Sequence, residues 1–218
     1  MLGRFEILVG IGGPMVIGLI FEVIVRKKRQ KGYLPPGSIV VEGPEPEKRG
    51  MPPSTPWVRR ASTIGISFVS FFSFWALIVS IFDWLSTPAI LIFDLPPWVN
   101  WGGMVALWFE VIWGLSVLFY NVNYTALFLG MKGKYVMASG GPYKYLRHPA
   151  YVGKAIETLC IFLITGLLPV LLAVPFWGAL PKQAAGEEAV MRELFGRQYE
   201  DYMQRTGQFF PKFHRLKS

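Results

Sequence analysis

The 218-residue chain is 52% hydrophobic and 16% aromatic, with a mean hydropathy of +0.38, which argues for a membrane protein rather than an ordinary soluble domain. Its net charge is +8, but the Lys and Arg residues cluster beside apolar runs instead of forming a basic stripe interleaved with aromatics. That pattern sets nucleic-acid binding aside and points to lipid headgroups and topology. A single cysteine, Cys160, excludes an intrachain disulfide and reads as a small core residue, while two histidines, His148 and His214, offer neither a metal-ligand spacing nor a paired-histidine haem site.

The first apolar run, 7–25, carries Gly10, Gly12, Gly13 and Gly18 and ends at the cluster Arg26-Lys27-Lys28-Arg29-Gln30-Lys31. Positive charge behind the run, with no small-residue cleavage site, describes a first transmembrane helix entering from outside rather than a cleaved signal. No strand precedes the glycines, so they suit close helix packing better than a nucleotide loop. Residues 26–60 form a proline-rich polar connector that excludes a long helix and is either disordered or packed over something functional. A second span covers 61–84. The 86–98 loop follows without Lys or Arg, and a third span runs from 101 to about 129 with Glu110 embedded in it.

Lys132, Lys134, Lys144 and Arg147 come after the third span. The positive-inside bias therefore predicts an outside N-terminus and a cytoplasmic segment around 141–153. Residues 150–165 and 167–181 make a hairpin turning at Gly166, with Pro169 suited to a helix first turn. At ~1.5 Å per residue each arm is roughly 24 Å, short for a hydrocarbon core of about 30 Å. Five spans leave a cytoplasmic C-terminus, in agreement with Arg192, Arg197, Arg205, Lys212, Arg215 and Lys217. The expected fold is an all-α integral membrane protein of about five transmembrane helices, with a helical hairpin before a cytoplasmic C-terminal helix. It is read as one membrane domain, 1–218, in which 1–130 supply spans one to three and 131–218 the region that carries the two polar segments.

Two polar segments bracket the hairpin, and two crossings return the second to the side of the first. The leading one is Gly141-Pro142-Tyr143-Lys144-Tyr145-Leu146-Arg147-His148-Pro149-Ala150-Tyr151-Val152-Gly153. The trailing one, 187–202, places Glu187, Met191, Phe195, Tyr199 and Tyr202 on one helical face able to cover what the first segment builds. Gly196 interrupts that helix at a cost of ~1 kcal/mol relative to alanine, which predicts close approach of a backbone or ligand there. Lys154 and Glu157, three apart within the fourth span, either neutralise each other or serve function, as intramembrane charges do.

The 141–153 segment, the Glu-Glu-x-x-Met-x-x-x-Phe-Gly-x-x-Tyr-x-x-Tyr pattern of 187–202 and the terminal Phe209-Phe210-Pro211 resemble the integral-membrane methyltransferases, namely the isoprenylcysteine carboxyl methyltransferases and phospholipid N-methyltransferases. The resemblance covers roughly the last 75 residues. It implies S-adenosylmethionine as methyl donor, bound at the cytoplasmic face, and a lipophilic methyl acceptor. It implies a cofactor pocket drawn from Gly141, Pro142, Tyr143, Tyr145, His148, Pro149, Tyr151, Gly153, Glu187, Glu188, Phe195, Tyr199 and Tyr202, with Pro149 and Gly153 shaping the turn into the hairpin. Arg147 is placed near the transferring methyl group or acceptor, and Glu188 beside the cofactor; these two are the expected catalytic residues. No metal is implied. The tail from Arg205 to Pro211 matches the family's usual run loosely, which leaves its role open.

The chemistry of the residues fits independently, because a cationic sulfonium suits carboxylates and aromatic faces, and methyl transfer needs alignment more than acid–base help. An amine acceptor must also shed a proton, whereas a carboxylate or thiolate need not. A membrane sterol or steroid reductase using NADPH has a related C-terminal hairpin, but Arg147-His148-Pro149 favours the methyltransferase and no extra basic cluster for a 2′-phosphate is present. A non-catalytic scaffold or transporter is the other alternative, and the absence of an internal repeat argues against a transporter.

Overall fold

The structure is a computed structural model that describes residues 2–42, 56–82, 86–121 and 134–212. Prolines 44, 46, 52 and 53 of the connector, Lys132 and the basic tail from 213 lie outside the described residues.

Helix α1, Arg4–Gln30, is apolar enough to cross a membrane and contains a π-helical turn at Leu8–Gly12. The turn lies where α1 meets its neighbours. A Cβ on Gly10 would stand within bonding distance of the Met104 sulfur, so Gly10 sets close helix packing as expected; Gly12 and Gly13 leave room for ordinary contact with Leu77 and Trp108, and Gly18 faces open space. Helix α2, Pro56–Ile81, carries serines through its apolar length by returning them to the backbone: Ser73 Oγ donates to Val69 O at 2.9 Å and Ser80 Oγ to Ala76 O at 2.7 Å. Helix α3, Pro97–Tyr120, is the third element long and apolar enough to span, together with Thr63–Ile81 of α2.

Helix α4, Pro149–Thr165, packs along α3. Gly103 lets the backbones approach, since a Cβ there would lie 2.7 Å from Leu163 Cβ, and buried Asn100 Nδ2 donates to Leu163 O at 2.9 Å. The helix ends at Gly166, whose φ of +70° and contact with Phe93 O leave no room for a side chain. The returning arm differs from the expected single helix. It is a 3-10 stretch, Leu168–Ala173, followed by the short helix α5, Val174–Trp177, and then α6, Leu180–Phe195. Pro169 and Pro175 lie in the first turns of these pieces and divide the arm. Ile11, Ala76, Met104, Leu107, Cys160, Ile161, Ile164, Leu167 and Val170 form the main core, with Cys160 buried as read from the sequence.

Two features modify an all-α description. Strand β1, Ser38–Glu42, pairs antiparallel with β2, Lys134–Ala138, in the register Ser38 to Ala138 and Glu42 to Lys134. The first part of the connector is thus packed against the segment that leads into 141–153. The C-terminal helix is also broken: α6 stops at Gly196 and α7, Arg197–Arg205, continues at an angle. Gly196 has φ +51° and ψ −128°, and nothing lies within 4 Å of where its Cβ would be. The glycine answers a backbone requirement, not the close contact expected from the sequence.

Candidate active site

The two polar segments meet at the end of α4 that is remote from Gly166. His148 caps α4 and Pro149 occupies its first turn, which fixes the exit of the 3-10 turn Gly141–Lys144. Gly141 has φ +54° and lies under the Tyr120 ring, where a Cβ would collide. Asn121 Nδ2, at the end of α3, donates to the Tyr143 hydroxyl at 2.8 Å. Arg29 of the first basic cluster donates to Leu118 O and, at 2.6 Å, to Asn121 O, closing the C-terminal carbonyls of α3 with a cation.

The chain beyond α7 packs along the same turn. Gly207 N donates to Tyr145 O at 3.0 Å, Arg147 N to Gly207 O at 2.8 Å, and His148 N to Gln208 O at 3.1 Å. The tail therefore runs as a short parallel bridge along the 145–148 backbone. The Phe209 ring lies 5.9 Å from the His148 ring. The Tyr202 hydroxyl donates to Tyr143 O at 2.7 Å, so α7 is pinned to the same turn.

A charged network joins these segments. One oxygen of Glu188, Oε1, accepts from Arg147 Nε at 2.8 Å, from His148 Nε2 at 3.2 Å and from Gln208 Nε2 at 3.2 Å. Arg147 Nη1 donates onward to Thr206 O at 2.5 Å. Glu187 Oε1 accepts from Tyr151 Oη at 2.5 Å and from Gln183 Nε2 at 3.2 Å, and Glu187 Oε2 lies 3.5 Å from His148 Nδ1. Burial works against the Glu188 charge, but hydrogen bonds from His148 and Arg147 outweigh it and hold the carboxyl down at about 2. Burial likewise works against protonating His148, and its bonds to Glu187 and Glu188 raise its pKa in spite of it. Burial, then the neighbouring Glu188, pushes the Tyr199 phenol up, and burial with Tyr199 does the same for Tyr202, so both are neutral phenols.

The segments enclose a cavity of about 360 Å³, the size of a small-molecule site. Tyr143, Arg147, His148, Tyr151, Glu187, Tyr199 and Tyr202, all singled out in the sequence, line it. The others surround it. Gly141, Pro142 and Pro149 shape the turn, Tyr145 is more than half exposed, and Phe195 packs with Tyr135 and Met137 behind the wall. Glu188 is 4% exposed and acts from behind, through Arg147 and His148. Gly153 is not at the turn; it lies inside α4, facing Glu110 and Trp113 of α3.

Sequence reading missed Asn121 and the strand residues Val136, Met137 and Ala138, which form one side of the cavity, and it left Lys154 undecided although Lys154 lines it too. The Ile39-Val40-Val41 run was the available signal for the strand pair. Among the described residues, no three His, Cys, Asp or Glu side chains are placed to hold a metal ion.

Residues 99–198, which hold both polar segments up to Gln198, match the family model of phospholipid methyltransferases. The match takes in just under half of the chain. It is 24% identical over 150 residues to a protein-S-isoprenylcysteine O-methyltransferase of Dictyostelium discoideum, an alignment covering 67% of this chain and 59% of that protein. A probable protein-S-isoprenylcysteine O-methyltransferase of Oryza sativa subsp. indica is 29% identical over 105 residues, 47% of this chain and 55% of the relative, and its japonica counterpart gives the same figures. The chain thus spans less than two thirds of the curated relatives it matches. The matched residues take in most of α3 and all of α4 and α6, the helices that carry Glu110, Lys154 and Glu187.

Proposed function

We propose that this chain transfers a methyl group from S-adenosylmethionine to a lipophilic acceptor, an isoprenylcysteine-carboxylate-like or phospholipid-amine compound. The observation that carries the reading is the convergence of 143–151 and 187–202 around one cavity whose wall combines a carboxylate with aromatic faces. Bound adenosylmethionine supplies an activated, positively charged methyl sulfonium. Glu187 offers the cavity a negative charge, and Tyr143, Tyr151, Tyr199 and Tyr202 offer ring faces, a donor set that fits such a cation. Arg147 is oriented by Glu188 and Thr206, and it reaches the cavity as a fixed cation able to align an acceptor. The His148 and Tyr151 rings are stacked, nearly parallel, with centroids 5.5 Å apart.

Among the described residues, the Lys and Arg side chains lining this cavity are Arg147, held by Glu188, and Lys154, held by Glu157, and this commitment to carboxylates disfavours the 2′-phosphate that an NADPH-dependent reductase binds. We further infer five crossings, made by α1, α2, α3, α4 and the 168–177 arm, with the site and C-terminus at the cytoplasmic face. The membrane is then the inner membrane of a prokaryote or the endoplasmic reticulum of a eukaryote. Calorimetric titration of the detergent-solubilised chain with adenosylmethionine and NADPH in parallel tests the assignment. Binding of the former, weakened in His148→Ala and Tyr151→Ala, is expected; heat with NADPH alone would overturn it.

A further inference from the structure

A second cavity, about 350 Å³, lies between α1, α2, α3 and α4 within the spans. Its wall is apolar apart from Ser70, Ser73 and four charged residues, Glu22, Glu110, Glu157 and Lys154. Two of the acids have partners. Glu22 pairs with Arg26 at 2.8 Å, and Glu157 with Lys154 at 2.5 Å. Glu110 makes no hydrogen bond or ion pair among the described residues, although it stands within Coulombic reach of Glu157 and Lys154.

The position of Glu110 is built. Its Oε1 lies 2.9 Å from where a Cβ of Gly153 would be, so the missing side chain of Gly153 makes the recess in which the carboxyl rests. Trp113 flanks the same recess and donates to Pro149 O at 3.0 Å, locking α3 to the start of α4. The two cavities share Ala150 and Lys154, which lie four apart on one face of α4. What sits in the second cavity beside Gly153 therefore adjoins the first.

We propose that this second cavity binds the amine end of a membrane-dissolved amphiphile and that Glu110 is the group that receives it. A carboxyl without a partner within a span is costly to ionise, and a cation is the partner that would stabilise its charge. A carboxylate-bearing ligand would add a second unpaired negative charge, with the one lining cation already committed to Glu157. The amine's role as methyl acceptor rests on the proposed methyltransferase activity; its binding does not. Once bound, the ammonium N–H bond breaks and the proton joins a Glu110 oxygen, which replaces an ion pair with a neutral pair favoured in an apolar cavity. The electron pair left on nitrogen can then form the bond to the methyl carbon as the methyl–sulfur pair returns to sulfur, and Glu110 releases its proton to water by way of the first cavity.

The test is saturable binding of radiolabelled dodecylamine to the full chain in maltoside micelles, with dodecanoic acid and dodecanol as competitors and adenosylmethionine binding measured separately. The expected result is competition by unlabelled dodecylamine at concentrations about tenfold below those of the acid or alcohol, and a loss of about tenfold or more in amine affinity in Glu110→Gln, with adenosylmethionine affinity kept. Gly153→Ala, whose added methyl displaces the carboxyl from its recess, serves as the second variant where Glu110→Gln is not monodisperse, and it too should weaken the amine. Equal or better binding of the acid, or amine affinity kept within about twofold in both variants, would overturn the amine site. Amine preference without any adenosylmethionine binding would support the site while removing the methyltransferase reading.

Discussion

Glu188 concentrates three donors on one oxygen, and Arg147 spends its fork on that oxygen and on Thr206 O. A lysine at 147 presents one ammonium and cannot reach both acceptors, so Arg147→Lys is expected to lower unfolding stability by about 1–3 kcal/mol. Arg147→Ala leaves Glu188 buried without its main charge partner and should cost about 3–5 kcal/mol, read by thermal unfolding in detergent. Because the pair touches directly at 2.8 Å, a double-mutant cycle on Arg147 and Glu188 will be non-additive without any ligand between them. Repeating the cycle with and without adenosylmethionine separates the ion pair from a shared ligand; coupling that grows with ligand is expected. The pH dependence has two limbs. Glu188 is held near 2, below the ordinary value of about 4.3, so its contribution is full above that value and is lost as pH falls toward 2. His148 is raised above the ordinary ~6.5, so its contribution is full below that value and is lost as pH rises through the folded value. Melting temperature against pH should flatten on the acid side in Glu188→Gln and on the alkaline side in His148→Gln.

Among the elements, the tail segment 206–208 is the least obvious and among the most consequential. Its three backbone bonds to 145–148 hold the wall that presents Arg147 and His148. Ending the chain after Arg205 is expected to reduce adenosylmethionine affinity at least about tenfold while leaving the far end of the helical bundle intact, which calorimetry and hydrogen exchange together would show. Gly196→Ala should cost about 1–3 kcal/mol through backbone strain alone, since no neighbour is there to be displaced. The three long apolar helices were legible because hydropathy is a local signal, and the meeting of 141–153 with 187–202 followed from chain geometry. The β1–β2 pair was not, because a strand partner almost a hundred residues away leaves no local periodicity, and the prolines nearby masked the β-branched run. Gly153 was read as a turn residue because its company in the motif is turn-rich; only the packing of α3 on α4 shows that it makes room for Glu110. Glu188 was expected beside the cofactor, and its burial behind Arg147 and His148 became visible only with the tail folded over it.

At the scale of the molecule, the two ends of α4 have opposite surroundings. Gly166 meets the 86–96 loop through Phe93, whereas His148 meets the tail through Gln208. Cysteines placed at exposed Ile90 and exposed Phe210 in a Cys160→Ser background should therefore label from opposite sides of sealed vesicles, and labelling from one side would refute the five-span arrangement. The contact of the two cavities at Ala150 and Lys154 has a kinetic consequence. On the proposed reading, one reactant is drawn from water and the other from a two-dimensional solvent. The catalyst then senses how crowded its neighbours in the lipid sheet are, not how much acceptor the test tube holds. Diluting the acceptor with inert lipid should slow turnover at constant bulk concentration, and diluting the vesicles with buffer should not.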